Sequence, residues 1–190
     1  MASVRPNWVK ERDELFAAVE HGEQKKVEKL LSSGVNVDED ILYGFFSWTP
    51  LMIAASNGDV EITKILLAAG AKTKAKYKKG ADSLIVASFN GHQEVVKLLL
   101  AAGAKVNKVT HYYQTALNLA EKEGHNKIVE LLKKAGATKT QEEMFWEEER
   151  ARLEEHYKDH KEEEPPSEHY KRWLKVRQEF NPDDWLRGKR

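Results

Sequence analysis

Apolar residues recur along the first 137 residues in short groups whose spacing is that of one helix face. Four longer groups lie at residues 27–31, 62–67, 95–100 and 128–132. A smaller group precedes each of them, at residues 15–18, 51–54, 84–87 and 117–120. Apolar positions three and four residues apart share one face of an α-helix. The pattern therefore predicts four successive pairs of short helices.

Two sets of glycines recur with the same spacing as these apolar groups. The first set is Gly22, Gly58, Gly91 and Gly124, and the second is Gly34, Gly70, Gly103 and Gly136. Within both sets the separations are 36, 33 and 33 residues. Glycine ends helices because it takes the left-handed conformation without a Cβ penalty. Each unit is therefore predicted to run helix, glycine turn, helix, glycine stop and connector.

The second unit contains the run Thr-Pro-Leu-Met-Ile-Ala from Thr49, which resembles the ankyrin repeat and its Thr-Pro-Leu-His-x-Ala motif at a period of 33 residues. Thr49 matches the helix N-cap, and Pro50 matches the first helical position. Met52 replaces the family's His, so the usual hydrogen bond between that His and the Thr should be absent. Asp82 in the third unit and Thr115 in the fourth keep a competent N-cap.

The resemblance covers about residues 10–138 and implies an all-α solenoid of four stacked ankyrin units with β-hairpin fingers. The units are predicted at about residues 10–42, 43–78, 79–111 and 112–138. Lys26 and Lys29 stand where the third unit has Val95 and Leu98, as the polar outer face of a terminal unit requires. Residues 1–138 are therefore expected to form the repeat domain, and residues 139–190 an extension.

The extension alternates charge with aromatic residues. Residues 141–164 hold 11 acidic and 4 basic side chains, whereas residues 165–190 hold 7 basic and 4 acidic ones. A capping-box pattern opens it at Thr140, and Pro165-Pro166 interrupts it. We expect a helical extension whose first helix stays with the repeats. The segment after the prolines is expected to bind a separate protein through Trp173 and Trp185.

The resemblance further implies a concave binding face, lined by the fingers and by the inner helices. The finger positions that would face a partner are Tyr43, Phe45, Phe46 and Trp48, then Lys76, Lys78 and Lys79, then His111, Tyr112 and Gln114. The inner-helix positions are Ser56 and Asn57, then Phe89 and Asn90, then Lys122 and Glu123. The three lysines are expected to meet an acidic surface, of a partner or of the chain's own residues 142–164. Alternatively, the aromatic residues of the first finger pack among themselves or under the tail.

The amino-acid composition excludes several classes of protein. The chain has 31 basic and 31 acidic side chains, no cysteine and no run of 18 apolar residues. Disulfide scaffolds and thiolate zinc sites are thereby excluded, and an intracellular protein without a membrane span, cytoplasmic by default, is expected. His156 and His160 have a zinc-compatible spacing, which we interpret as a solvated helix face, while His92 and His125 are interpreted as scaffold. No catalytic set of residues, cofactor or small-molecule substrate is predicted.

The resemblance implies a non-catalytic protein–protein interaction module, acting as an adaptor, a scaffold or an accessory subunit of a larger assembly. The alternative is binding of nucleic acid or another polyanion through the Lys-rich second finger. Residues 1–140 have 20 basic and 16 acidic side chains. Nucleic-acid-binding domains are usually far more basic on one face. A protein partner is therefore the first expectation.

Overall fold

The computed structural model describes residues 7–43, 46–74, 80–110 and 114–139, together with Met144, and for residues 42, 43 and 46 it describes the backbone alone. Within these residues eight α-helices and one short hairpin follow one another along the chain. The elements are α1 (Asn7–Glu20), α2 (Gln24–Ser32), β1 (Ile41–Tyr43), β2 (Phe46–Trp48), α3 (Pro50–Asn57), α4 (Val60–Ala68), α5 (Ser83–Phe89), α6 (Gln93–Ala101), α7 (Ala116–Lys122) and α8 (Asn126–Lys134). The four predicted helix pairs are all present, and the prediction of an all-α repeat solenoid is confirmed.

Glycine ends the helices as the spacing predicts. All eight glycines of the two sets have positive φ angles, between 71° and 94°. At the end of α3, Gly58 has φ 71° and ψ 21°, and its N–H donates to the carbonyl oxygen of Ala54. A residue with a Cβ atom adopts this left-handed region only at a cost of roughly 1–2 kcal/mol. The glycine register therefore sets where each helix stops.

Side-chain caps start α3, α5 and α7. Thr49 Oγ1 accepts a hydrogen bond from the Met52 N–H at 3.3 Å, as an N-cap does. Asp82 Oδ1 accepts from the Ile85 N–H at 3.1 Å, as its N-cap assignment predicts. Thr115 and Asn118 form a reciprocal capping box, with bonds of 3.1 and 2.9 Å. Each cap satisfies a backbone donor that has no partner inside its helix.

The helices pack in two parallel layers. The inner layer consists of α1, α3, α5 and α7, the outer layer of α2, α4, α6 and α8, and each helix packs on its neighbours in its own layer. Leu15, Leu51, Leu84 and Leu117, which are equivalent in the four units, are at most 3% exposed in the inner layer. In the outer layer Leu66, Leu99 and Leu132 are fully buried. The core is therefore a stack of equivalent leucines that continues from unit to unit.

The hairpin is the finger of the first connector. Strands β1 and β2 are antiparallel, and Ile41 pairs with Trp48, Leu42 with Ser47 and Tyr43 with Phe46. The Ser47 hydroxyl donates to the carboxylate of Asp40 across the base of this hairpin. A side chain thereby closes the finger where it leaves the repeat.

The first unit ends the array with a largely polar surface. Lys26 and Lys29 are exposed on α2, in agreement with the terminal position expected for this unit. Trp8 on α1 is 58% exposed. Its ring lies 5.8 Å from the guanidinium carbon of Arg12. The chain divides into two units, Met1–Ala137 and Thr138–Arg190.

Candidate partner-binding surface

The first finger is anchored by a buried tryptophan. Trp48 ends β2 and is 4% exposed, and Thr49, the N-cap of α3, follows it at 8%. A buried ring offers no surface to a partner, so Trp48 is part of the core and its predicted contact with a partner is corrected here. Of the other three predicted aromatic positions, Tyr43 and Phe46 face each other in the backbone register. Phe45 and the side chains of Tyr43 and Phe46 lie outside the described residues.

The base of the second connector is bonded to the first. Asp38 accepts a hydrogen bond from the Lys72 N–H at 2.8 Å through Oδ1, and its Oδ2 lies 3.2 Å from Lys72 Nζ. The Lys72 side chain remains 77% exposed, so this ion pair is largely solvated. Such an exposed pair contributes little to stability, about 0–1 kcal/mol, but the backbone bond fixes the position of the connector. Lys76, Lys78 and Lys79 follow it and lie outside the described residues.

The third connector has a closed stem. Its Thr110 N–H donates to the Gln114 carbonyl oxygen at 3.0 Å, and the Gln114 N–H donates back to Thr110 Oγ1 at 3.2 Å. Thr110 is 6% exposed and Gln114 is half-buried. The predicted site residues His111 and Tyr112 lie between these two anchors, outside the described residues. The stem fixes where that segment leaves and re-enters the repeat.

A buried ion pair joins the same connector to the start of α5. Lys108 Nζ lies 3.8 Å from Asp82 Oδ2, and the two side chains are 11% and 1% exposed. Burial raises the pKa of the Asp82 carboxyl above its ordinary value, and the positive charge of Lys108 opposes this shift. Burial likewise lowers the pKa of Lys108, and Asp82 opposes that shift in turn. Each charge thus offsets part of the cost of burying the other, although burial remains the larger effect on both pKa values.

The end of α3 places two predicted site residues at the surface. Asn57 is exposed, and its Nδ2 donates to the Glu20 carbonyl oxygen of the first unit at 3.3 Å. Ser56 is partly exposed, and its carbonyl oxygen lies 2.9 Å from His92 Nε2 of the third unit. These residues connect neighbouring units and also present side-chain surface.

The end of α5 differs from the end of α3. Phe89 is 2% exposed, so it belongs to the core, and its predicted contact with a partner is also corrected. Its carbonyl oxygen lies 3.0 Å from His125 Nε2 of the fourth unit. Asn90 is partly exposed, and its Nδ2 donates to the Val86 carbonyl oxygen at 3.0 Å. His92 and His125 thus bond one unit to the next, which confirms their interpretation as scaffold.

The predicted partner contacts of the extension, Trp173 and Trp185, lie outside the described residues. The same holds for His156 and His160, which we interpret as a solvated helix face. Where the structure describes the chain, no cluster of three or more His, Cys, Asp or Glu side chains could hold a metal ion. Over the same residues, no helix is both long and apolar enough to cross a membrane.

The sequence patterns identified Asp82 as a cap but not as one half of a buried ion pair. Its partner Lys108 comes 26 residues later, in a connector that carries no pattern of its own. The sequence does contain evidence that Trp48 is buried, because Trp48 directly precedes the N-cap Thr49. An apolar residue at this position often packs against the fourth helical residue, here Ile53, and such packing predicts burial.

A family model of ankyrin repeats, in three copies, matches residues 15–110, which is half of the chain. The helix pair α7 and α8 follows that range and repeats the same geometry.

Several curated proteins are similar over a shorter stretch. The ankyrin repeat, SAM and basic leucine zipper domain-containing protein 1 of Equus caballus is 40% identical over 78 residues, which are 40% of this chain and 15% of that protein. The protein of the same name in Homo sapiens is 38% identical over 78 residues, with the same shares of both chains. This chain therefore spans about 15% of the length of these relatives.

Proposed function

Because this chain belongs to the ankyrin-repeat family, we propose that it is a non-catalytic adaptor or accessory subunit that binds another protein through its fingers and inner-helix ends. Ankyrin repeats generally mediate protein–protein interaction.

One observation carries the proposal: packed positions of the inner helices repeat from unit to unit, whereas the residues at the ends of these helices differ in chemistry. The scaffold positions repeat, with leucine at 51, 84 and 117 and glycine at 58, 91 and 124. At the ends of the same helices the residues are Ser56, Phe89 and Lys122, and then Asn57, Asn90 and Glu123. A rigid repeated framework with a variable edge supports selective binding, because the edge can be matched to one partner without changing the core.

Interface chemistry supports a protein partner in particular. The predicted contact set that remains after Trp48 and Phe89 are assigned to the core contains aromatic, amide and lysine side chains. Aromatic residues are enriched in the buried centre of protein interfaces, and charges at the rim govern the rate of association. We infer that the partner presents an acidic surface opposite the second finger.

Site-specific photo-crosslinking tests the proposal. Benzoylphenylalanine is introduced at Asn57 or Lys122, exposed at inner-helix ends, and at Lys64 or Lys97, exposed on outer helices, as matched controls. We expect both inner-helix variants to crosslink to the same protein, identified by mass spectrometry, and the outer-helix variants not to do so. Adducts from the outer helices alone would contradict the proposed surface.

A second measurement tests the polyanion alternative. The full chain is titrated into a labelled single-stranded oligonucleotide at several salt concentrations, and binding is followed by fluorescence anisotropy. We expect no specific binding. An affinity that falls steeply and linearly with the logarithm of salt concentration would favour polyanion binding over the proposed function.

A further inference from the structure

One carboxylate is shared between a helix cap and a connector. Asp82 Oδ1 accepts the Ile85 N–H at 3.1 Å and so caps α5, while Oδ2 lies 3.8 Å from Lys108 Nζ. Both side chains are withdrawn from solvent, at 1% and 11% exposure. A restraint on either group is therefore transmitted directly to the other.

Lys108 lies two residues before the stem of the third connector. We define the third-finger stem as Thr110 and Gln114. Thr110 and Gln114 are joined by the two hydrogen bonds of 3.0 and 3.2 Å, and Thr110 is buried. Holding the Lys108 side chain at the start of α5 therefore fixes the point from which the third finger begins.

Capping alone does not account for the charges. In units two and four a neutral residue, Thr49 or Thr115, caps the inner helix at the place equivalent to Asp82. A buried ion pair is often no more stabilising than neutral side chains of similar volume. A threonine at position 82 would therefore cap α5 equally well. The ion pair adds a link between α5 and the third connector.

We propose that Asp82 and Lys108 are positioning residues, which hold the third-finger stem against the N-terminus of α5 and so give the partner-binding finger a fixed base. The inference rests on the proposed function, since a fixed base matters to a finger that binds. Neither residue is assigned a contact with the partner.

Residue-resolved amide hydrogen exchange in the full chain tests this without a partner. The variant D82T/K108M keeps a threonine cap, as in α3 and α7, and leaves no unpaired charge. We expect exchange at the Thr110 and Gln114 amides to accelerate about tenfold or more, since local opening follows the loss of local restraint. The amides of Ile85, on the cap, and Leu119, in α7, should change by less than about twofold. The matched control is K105M, which removes an exposed lysine from the same connector.

Three results would overturn the positioning role. Wild-type exchange at Thr110 and Gln114 in D82T/K108M would mean that the stem holds without the ion pair. Equal acceleration at Ile85 and Leu119 would mean that the pair supports the whole array. The same acceleration in K105M would mean that any charge loss in the connector suffices. Because exchange needs no partner, a failure here is distinct from a failure of the crosslinking test.

Discussion

The imidazole of His125 lies against the backbone of Gly91, where an added Cβ atom would come within 2.6 Å of the ring atom Cε1. His92 and Gly58 repeat this relationship one unit earlier, with a closest approach of 2.4 Å. Real Cβ atoms do not come so close to other heavy atoms. Gly58 and Gly91 are therefore required for space as well as for their positive φ angles.

Gly91→Ala should destabilise the protein more than Gly103→Ala. Gly103 has φ 77° and nothing within 4 Å of the added Cβ, so its substitution measures the backbone cost alone, roughly 1–2 kcal/mol. Gly91→Ala should add the cost of displacing the His125 ring, about 1–3 kcal/mol more. Urea unfolding followed by circular dichroism gives both values. Equal costs at the two glycines would show that the ring moves aside freely.

Trp48 and Trp8 should respond in opposite ways to truncation. Trp48→Ala should lower the free energy of unfolding by about 3–5 kcal/mol, because a buried ring is replaced by a cavity. Trp8→Ala should change it by less than about 0.5 kcal/mol, because the ring is 58% exposed. Thermal and urea unfolding of the two variants give the comparison. If the Trp48→Ala protein were as stable as wild type, Trp48 would not be a core residue and its predicted contact with a partner would stand.

Ser88→Ala is expected to stabilise the protein. Ser88 lies on α5 at 0% exposure, and its Oγ is a buried side-chain oxygen without a hydrogen-bond partner. The equivalent residue in the second unit is Ala55, which is also fully buried, so alanine fits this place in the fold. Removing an unsatisfied buried hydroxyl should gain on the order of 1 kcal/mol. A loss of stability in urea unfolding would contradict the buried, unpaired state of the hydroxyl.

The Asp82 carboxyl should make the protein more stable as pH falls, whereas most carboxylates in folded proteins have the opposite effect. Burial raises the pKa of Asp82, so the native state binds its proton at a pH where the unfolded chain has released it. The native state therefore gains stability as pH falls through the folded-state pKa towards the ordinary value of 3.8. We expect the free energy of unfolding of wild type minus that of D82T to increase as pH is lowered from about 7 to about 4.

Lys108 provides the control for that titration. Its positive charge lowers the pKa of Asp82, so Lys108→Met should move the onset of the effect to higher pH. The relevant comparison is K108M against D82T/K108M, which differ only at Asp82. If both differences stayed constant over this pH range, Asp82 would not be taking up its proton in the native state.

The repeated part of the fold could be predicted because its determinants are local. A glycine at a fixed interval ends a helix through its own φ angle, and Asp82 caps α5 through a residue three places away. Apolar spacing alone gives the buried face of each helix. Helix termination, capping and apolar spacing each depend on residues only a few places apart, so they can be recognised in the sequence alone.

The candidate site was harder to predict because it depends on contacts between units. The pairing of Asp82 with Lys108 depends on how one connector returns past an earlier helix. The aromatic run of the first finger allowed both burial and exposure, and the structure assigns Trp48 to the core. For Phe89, an inner-helix position that the family uses for binding is here buried. Side-chain type does not settle such choices, because the same ring serves a core and an interface equally well.

The layered packing has a consequence for how the array folds. Every extensive contact between described elements joins parts of one unit or of adjacent units. Little chain entropy is lost before such contacts form, and proteins dominated by local contacts fold rapidly. Any adjacent pair of units can also serve as the starting point from which order extends. We therefore expect folding to spread outward from the pair that forms first, without requiring the two ends of the array to meet.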